Sequence, residues 1–155
     1  IKNKNNGVSI KISALCPSYE MRKFHDIKSS LIPKLIALTE LGMSKNVEIT
    51  IDAEEQDRLS ISLEIIRIMA QSKKIRDWPG FGMALQAYGK RSLSTINWLE
   101  ELLKERTSMH LRLVKGAYWD YEIKHAQVYG YADYSVFTKN AINLKYVKNQ
   151  VPKTA

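Results

Sequence analysis

The sequence predicts an α/β protein built on parallel strands, and three observations lead there. Short apolar or alternating runs at residues 8–13, 47–51, 81–86 and 109–114 read as strands. Stretches with apolar residues at helical spacing separate and follow them. The resulting β-α-β-α-β-α-β-α rhythm, with helices of this length, joins parallel strands through right-handed crossovers.

Each element has its own justification. In VSIKIS (8–13), Val8, Ile10 and Ile12 alternate with Ser9, Lys11 and Ser13, the period of two of a strand. CPSYE is a turn, broken at Pro17. Residues 26–44 carry a helical stripe of Ile27, Leu31, Leu35, Leu38 and Leu41, with Asp26 as N-cap and Gly42 as stop. Pro33 is awkward inside that helix and places its ordered start nearer Leu31, where proline would fall in the first turn. VEITI (47–51) is a second strand that ends at Asp52. Residues 53–72 form a helix through Leu59, Leu63, Ile66 and Met69, and WPGFG connects it to the strand at 81–86. Residues 93–106 form the third helix, 109–114 the fourth strand and 119–129 a shorter fourth helix.

Composition narrows the function classes. With 155 residues, 45% hydrophobic and 26% charged, the chain has enough material for one domain with a real core. No apolar run approaches the ~20 residues that span a bilayer, and the opening IKNKNNG has no signal-peptide pattern. The single cysteine, Cys16, excludes an internal disulfide and fits a reducing cytoplasm. A net charge of +8 raises nucleic-acid binding, but the basic residues are scattered and no zinc-finger or RNA-recognition motif accompanies them. Neither GxGxxG after the first strand nor a P-loop occurs. His25, His110 and His125 lack metal-ligand spacing, so no metal is assigned.

Functional groups recur inside or just past the carboxyl ends of the strands: Lys11, Asp52, Gln86, then Arg112 and Lys115. In a (β/α) barrel such positions converge on one mouth, and in an open α/β sheet they line a crevice. Arg112 lies within the apolar run LRLV, and a guanidinium cannot shed its charge. It either faces solvent or meets an anionic or carbonyl-rich partner. Bland readings stand beside these: Lys11 as a solvated edge residue, Lys115-Gly116 as a turn, and Asp52 as a helix cap with Glu54 and Glu55 complementing the dipole. Trp78, Trp98 and Trp119 read as packing residues.

Four blocks carry a resemblance: GVSIKISAL (7–15), IDAEEQDRLSISLE (51–64), GFGMALQAYGKRS (80–92) and LRLVKGAYWDYEIKHAQVYGY (111–131). In this order and spacing, over about residues 7–139, the chain resembles the proline dehydrogenase domain of the bifunctional bacterial proline utilisation flavoenzymes. The resemblance implies a distorted (β/α)8 TIM-type barrel with FAD at its mouth, of which about four β/α units are present here. Residues 1–155 are then a fragment of one such domain, with 140–155 a poorly matching tail.

The implied activity is oxidation of L-proline to Δ1-pyrroline-5-carboxylate, with hydride transfer to the flavin and electrons passed to a membrane quinone. Gln86, Arg112, Lys115, Gly116, Ala117, Tyr118 and Trp119 would contact or frame FAD, with Thr138 and Lys139 adding to the cofactor site. Lys11 and Asp52 would help form the proline pocket, with Tyr118 near the substrate, so that Lys11, Asp52, Tyr118 and Arg112 are the catalytic candidates. The resemblance places the protein in the cytoplasm, peripheral at the inner membrane, and is compatible with an oligomer.

The chain departs from the pattern at Cys16, where the family usually has histidine, and after Lys139, where NAINLKYVKNQVPKTA lacks the expected Thr-Asp and small-residue helix. The family's arginine pair for the substrate carboxylate belongs to the second half of the barrel, so the fragment alone is expected to be inactive. Two other functions compete: a Schiff-base aldolase or lyase on a (β/α) barrel, with Lys11 or Lys115 as nucleophile, and a basic nucleic-acid-binding module.

Overall fold

Four strands form one sheet in the order β1-β2-β3-β4: Gly7–Ile10, Glu48–Ile51, Phe81–Gln86 and His110–Val114. The computed structural model describes residues 6–16, 18–106 and 108–138. The first three strands pair in parallel, with Ser9 opposite Thr50 and Thr50 opposite Gly82. A short helical turn, α1 (Ile12–Leu15), follows β1; α2 (Phe24–Ser44) leads to β2 and α3 (Leu59–Gln71) to β3. α4 (Ser92–Leu103) leads to β4, and α5 (Trp119–Val128) follows it. These are the four β/α units expected of the partial barrel, and no helix among the described residues is long and apolar enough to cross a membrane.

The chain divides into two compact units, Ile1–Ala84 with Leu102–Arg112, and Leu85–Glu101 with Leu113–Ala155. In the first, α2 and α3 bury Ile27, Leu31, Leu35, Ile61, Ile65 and Met69, each no more than 2% exposed. Ile49 and Ile51 of β2 and Phe81 and Met83 of β3 are buried with them, and each such side chain contributes about 1.5–3 kcal/mol. The second unit is built on buried Leu85, Ala87, Tyr88, Ile96, Leu99, Ala126 and Val136.

A buried cation braces the first unit. Arg106, 6% exposed, donates to the carbonyls of Ser108 (2.7 Å), Trp78 (2.8 Å) and Ala70 (3.3 Å). Its guanidinium also lies over the Phe81 ring, 5.5 Å from the centroid. Ala70 is in the last turn of α3, whose carbonyls lack intrahelical donors. Arg106 thereby ties the end of α3 to the loop before β3 and to the approach to β4 without using a carboxylate.

Several boundaries differ from the periodicity. The strand expected over 8–13 ends at Ile10, because Lys11 O accepts from Ala14 N and the buried Glu54 carboxylate accepts from Ser13 N at 3.0 Å. A carboxylate at a helical N-terminus favours that turn, and Ile12 is fully buried in it. α2 starts at Phe24 and runs through Pro33, so Asp26 lies in its first turn rather than at its N-cap, and Gly42 in its last turn rather than beyond it. Proline costs one backbone hydrogen bond there, which burial of Leu31, Ile32 and Leu35 around it offsets. α3 begins at Leu59 instead of residue 53, after a 3-10 turn at Gln56–Arg58, since Glu54 is committed to Ser13 and to Arg58.

Candidate functional site

In the first unit, polar groups from β1, β4 and the residue after β2 converge. Arg112 of β4 donates from Nη2 to Asp52 Oδ1 at 2.5 Å and from Nη1 to Ser9 Oγ at 2.7 Å. Asp52 directly follows β2, where its N–H donates to Ile10 O at 2.9 Å, and its Oδ1 also accepts from Ala53 N at 3.1 Å. The pair is half-exposed, with 46% of the Arg112 side chain and 23% of that of Asp52 open to solvent. Both readings of Arg112 therefore hold at once: it faces solvent and it meets an anion. Asp52 caps no helix, since α3 begins seven residues later and the carboxylate is turned to Arg112. Glu54 and Glu55 likewise do more than complement a dipole: both pair with Arg58, at 2.8 Å and 3.4 Å.

One step down the same strands, Thr50 Oγ1 and His110 Nε2 are hydrogen-bonded at 2.7 Å. Burial pushes the His110 imidazole below its ordinary value of 6.5, with the nearby Arg112 and Arg106 charges acting in the same direction. Lys11 is exposed directly after β1, where it lines an apolar groove with Val8, Leu38, Leu41 and Lys45.

The second unit holds the KGAYW stretch. Lys115, Gly116 and Ala117 are exposed, and Gly116 adopts φ +57°, a left-handed conformation suited to glycine. A side chain at Gly116 would meet only Trp119 Cβ at 3.9 Å, so the loop backbone is open to close approach. The buried Tyr88 phenol accepts from Tyr118 N at 2.9 Å, while Tyr88 O accepts from Phe137 N at 2.9 Å. Trp119 Nε1 donates to Phe137 O at 2.8 Å, and Gly89 and Val136 form a β-bridge. Burial raises the Tyr88 hydroxyl to about 12, so it is neutral and keeps a proton to donate. Glu122, 3% exposed, accepts from Ser135 Oγ at 2.7 Å. Gln86 is buried at the end of β3 and Thr138 is exposed; Lys139 lies outside the described residues.

The structure thus joins two expected residues, Asp52 and Arg112, and places Gln86, Lys115, Gly116, Ala117, Tyr118, Trp119 and Thr138 in the second unit. Sequence reasoning missed Ser9, Thr50, Glu54, Tyr88 and His110. Ser9 had a signal in its sharing of a strand face with Lys11, and Tyr88 in its place within QAYGKR. Gly82 in an otherwise apolar strand was the signal for His110, because it marks a close approach.

Comparison with known proteins gives a consistent family. The family model described as proline dehydrogenase matches residues 1–148. The bifunctional protein PutA of Escherichia coli K12 is 42% identical over 134 residues, and that of Rhizobium meliloti 41%; each match covers 86% of this chain. The chain spans about a tenth of the length of these curated relatives. A crystal structure of PutA from Bradyrhizobium japonicum superposes with a TM-score of 0.83 at 40% identity, over 88% of this chain and 14% of the other. PutA from Bdellovibrio bacteriovorus, inactivated by N-propargylglycine, gives 0.84 at 29% identity, over 92% and 15%.

Proposed function

This chain belongs to the proline dehydrogenase family, and on that premise we propose that it is part of an FAD-dependent enzyme that oxidises L-proline to Δ1-pyrroline-5-carboxylate and passes the electrons to a membrane quinone. It forms part of one (β/α)8 domain, acts with the remainder of that domain, and turns over no proline alone. The enzyme is cytoplasmic and meets the membrane peripherally.

The observation that carries this reading is the cation of β4: Arg112 is oriented by both Asp52 and Ser9, yet almost half its side chain is open to solvent. Such a fixed guanidinium favours negative charge developing on a neighbouring ring system. The exposed backbone at Lys115, Gly116 and Ala117, open in front of Gly116, suits close approach of a large planar or phosphate-bearing group. Each feature, taken within its own unit, suits part of a flavin dinucleotide. When bound, FAD supplies the hydride acceptor for the chemistry.

The chain's own residues bind and orient. Gln86, Arg112, Lys115, Gly116, Ala117, Trp119, Thr138 and Lys139 frame the cofactor; Lys11 offers a cation to the proline carboxylate; Asp52 fixes Arg112; Tyr118 stands near the substrate. Hydride transfer to a flavin needs orientation more than a strong base, so no triad is required. Purified full-length protein is expected to be yellow and to reduce a dye in the presence of proline. A colourless protein that gains no flavin absorbance with FAD and gives no proline-dependent reduction would sink the proposal.

A further inference from the structure

Two bridges stack on one face of the sheet. Thr50 of β2 lies in register with Gly82 of β3. Two residues further along, on the same face, come Asp52 and Ala84, while His110 is followed at the same interval by Arg112. Thr50–His110 (2.7 Å) and Asp52–Arg112 (2.5 Å) each join β2 to β4, which the sheet order separates by β3. Adjacent strands lie about 4.8 Å apart, so each bridge spans roughly twice that distance and passes over β3. The positions beneath are the two smallest residues of that strand, Gly82 and Ala84. A Cβ on Gly82 would fall 2.0 Å from His110 Cδ2 and 2.2 Å from Nε2, so the imidazole lies directly over the bare backbone.

The lower bridge is the better shielded of the two. Thr50 is 9% exposed and His110 half-buried, whereas Arg112 is exposed. Burial lowers the His110 pKa, and the Arg112 and Arg106 charges act in the same direction, against Glu48 and the Pro79 backbone. We infer that His110 is a positioning residue: hydrogen-bonded to Thr50 over Gly82, it sets the β2–β4 spacing at which Asp52 and Arg112 pair. Its consequence for catalysis rests on the proline dehydrogenase reading above; its geometric content does not.

The test uses the full-length protein with Thr50→Val, His110→Leu and His110→Gln, read by crystallography and by proline-dependent flavin reduction. Thr50→Val removes the hydroxyl at nearly constant shape, so the question survives if His110→Leu fails to fold. Both are expected to part Arg112 from Asp52 and to lower kcat about tenfold while flavin stays bound. His110→Gln, which keeps a polar atom near the Nε2 position, is expected to restore both. An Asp52–Arg112 pair still closed in Thr50→Val overturns the inference, as does a His110→Gln variant no better than His110→Leu. If the wild-type protein oxidises no proline, the proposed function falls and the crystal structures alone decide the positioning role.

Discussion

Arg112 reaches Asp52 at 2.5 Å from two strands away, over a strand that offers only Ala84 at that level. The contact exists because β3 carries only Gly82 and Ala84 beneath the two bridges, with its bulky Phe81 and Met83 on the opposite face. As a half-exposed ion pair it contributes little to folding.

Arg112→Met in the intact enzyme is therefore expected to cost no more than about 1 kcal/mol of stability. Under the proposed function it should weaken flavin binding or lower the flavin midpoint potential, because that reading sets Arg112 as a fixed cation beside the reduced ring. Potentiometric titration beside a urea melt checks this, and unaltered redox behaviour with a large stability loss would reverse the assignment.

Arg106→Met should do the opposite. Three buried or half-buried carbonyls would lose their donor at once, at a cost of about 3 kcal/mol. Arg106→Lys should recover only part of this, as one ammonium cannot reproduce a planar fork aimed at three acceptors. The urea midpoints of the two variants rank them directly.

Gly82→Ala should destabilise by about 1–3 kcal/mol, since its methyl would overlap the His110 ring. Combined with His110→Ala, the cost should be smaller than the sum of the single variants, because removing the ring makes room for the methyl. Strict additivity would mean that the ring is not what Gly82 accommodates.

His110 contributes one part of the pH dependence of stability. Its folded-state pKa lies below the ordinary 6.5 because burial disfavours the imidazolium. The unfolded chain then binds more protons between the two values, so stability present above about pH 6.5 is lost as pH falls through that window. His110→Gln should flatten this part of the profile in denaturation series at different pH values.

Tyr88→Phe removes the acceptor for the Tyr118 N–H at the start of α5. A cost of about 1 kcal/mol is expected, concentrated in the KGAYW loop. Hydrogen exchange at the Tyr118 amide should accelerate while that of the β2 amides stays unchanged. Uniform acceleration would mean that Tyr88 supports the whole fold instead of the loop.

The sequence by itself determined the element order, because alternation and helical spacing are local properties that survive without tertiary contacts. VEITI, the strand entering QAYGKR and the stripe of α3 carry their burial pattern in their own spacing. It also determined that Asp52 stands just past β2 and that Arg112 lies within β4, since that depends only on where the strands start and stop. Tertiary structure decided the rest. β1 ends at Ile10 because Glu54, forty-one residues from Ser13, captures its N–H. α2 passes through Pro33 because burial on both sides outweighs one missing hydrogen bond. Asp52 turned out to hold Arg112 and not a helix end, and Thr50 met His110 sixty residues away over a glycine. Such pairings depend on strand order and on the bulk of the strand between, which no local window of sequence contains.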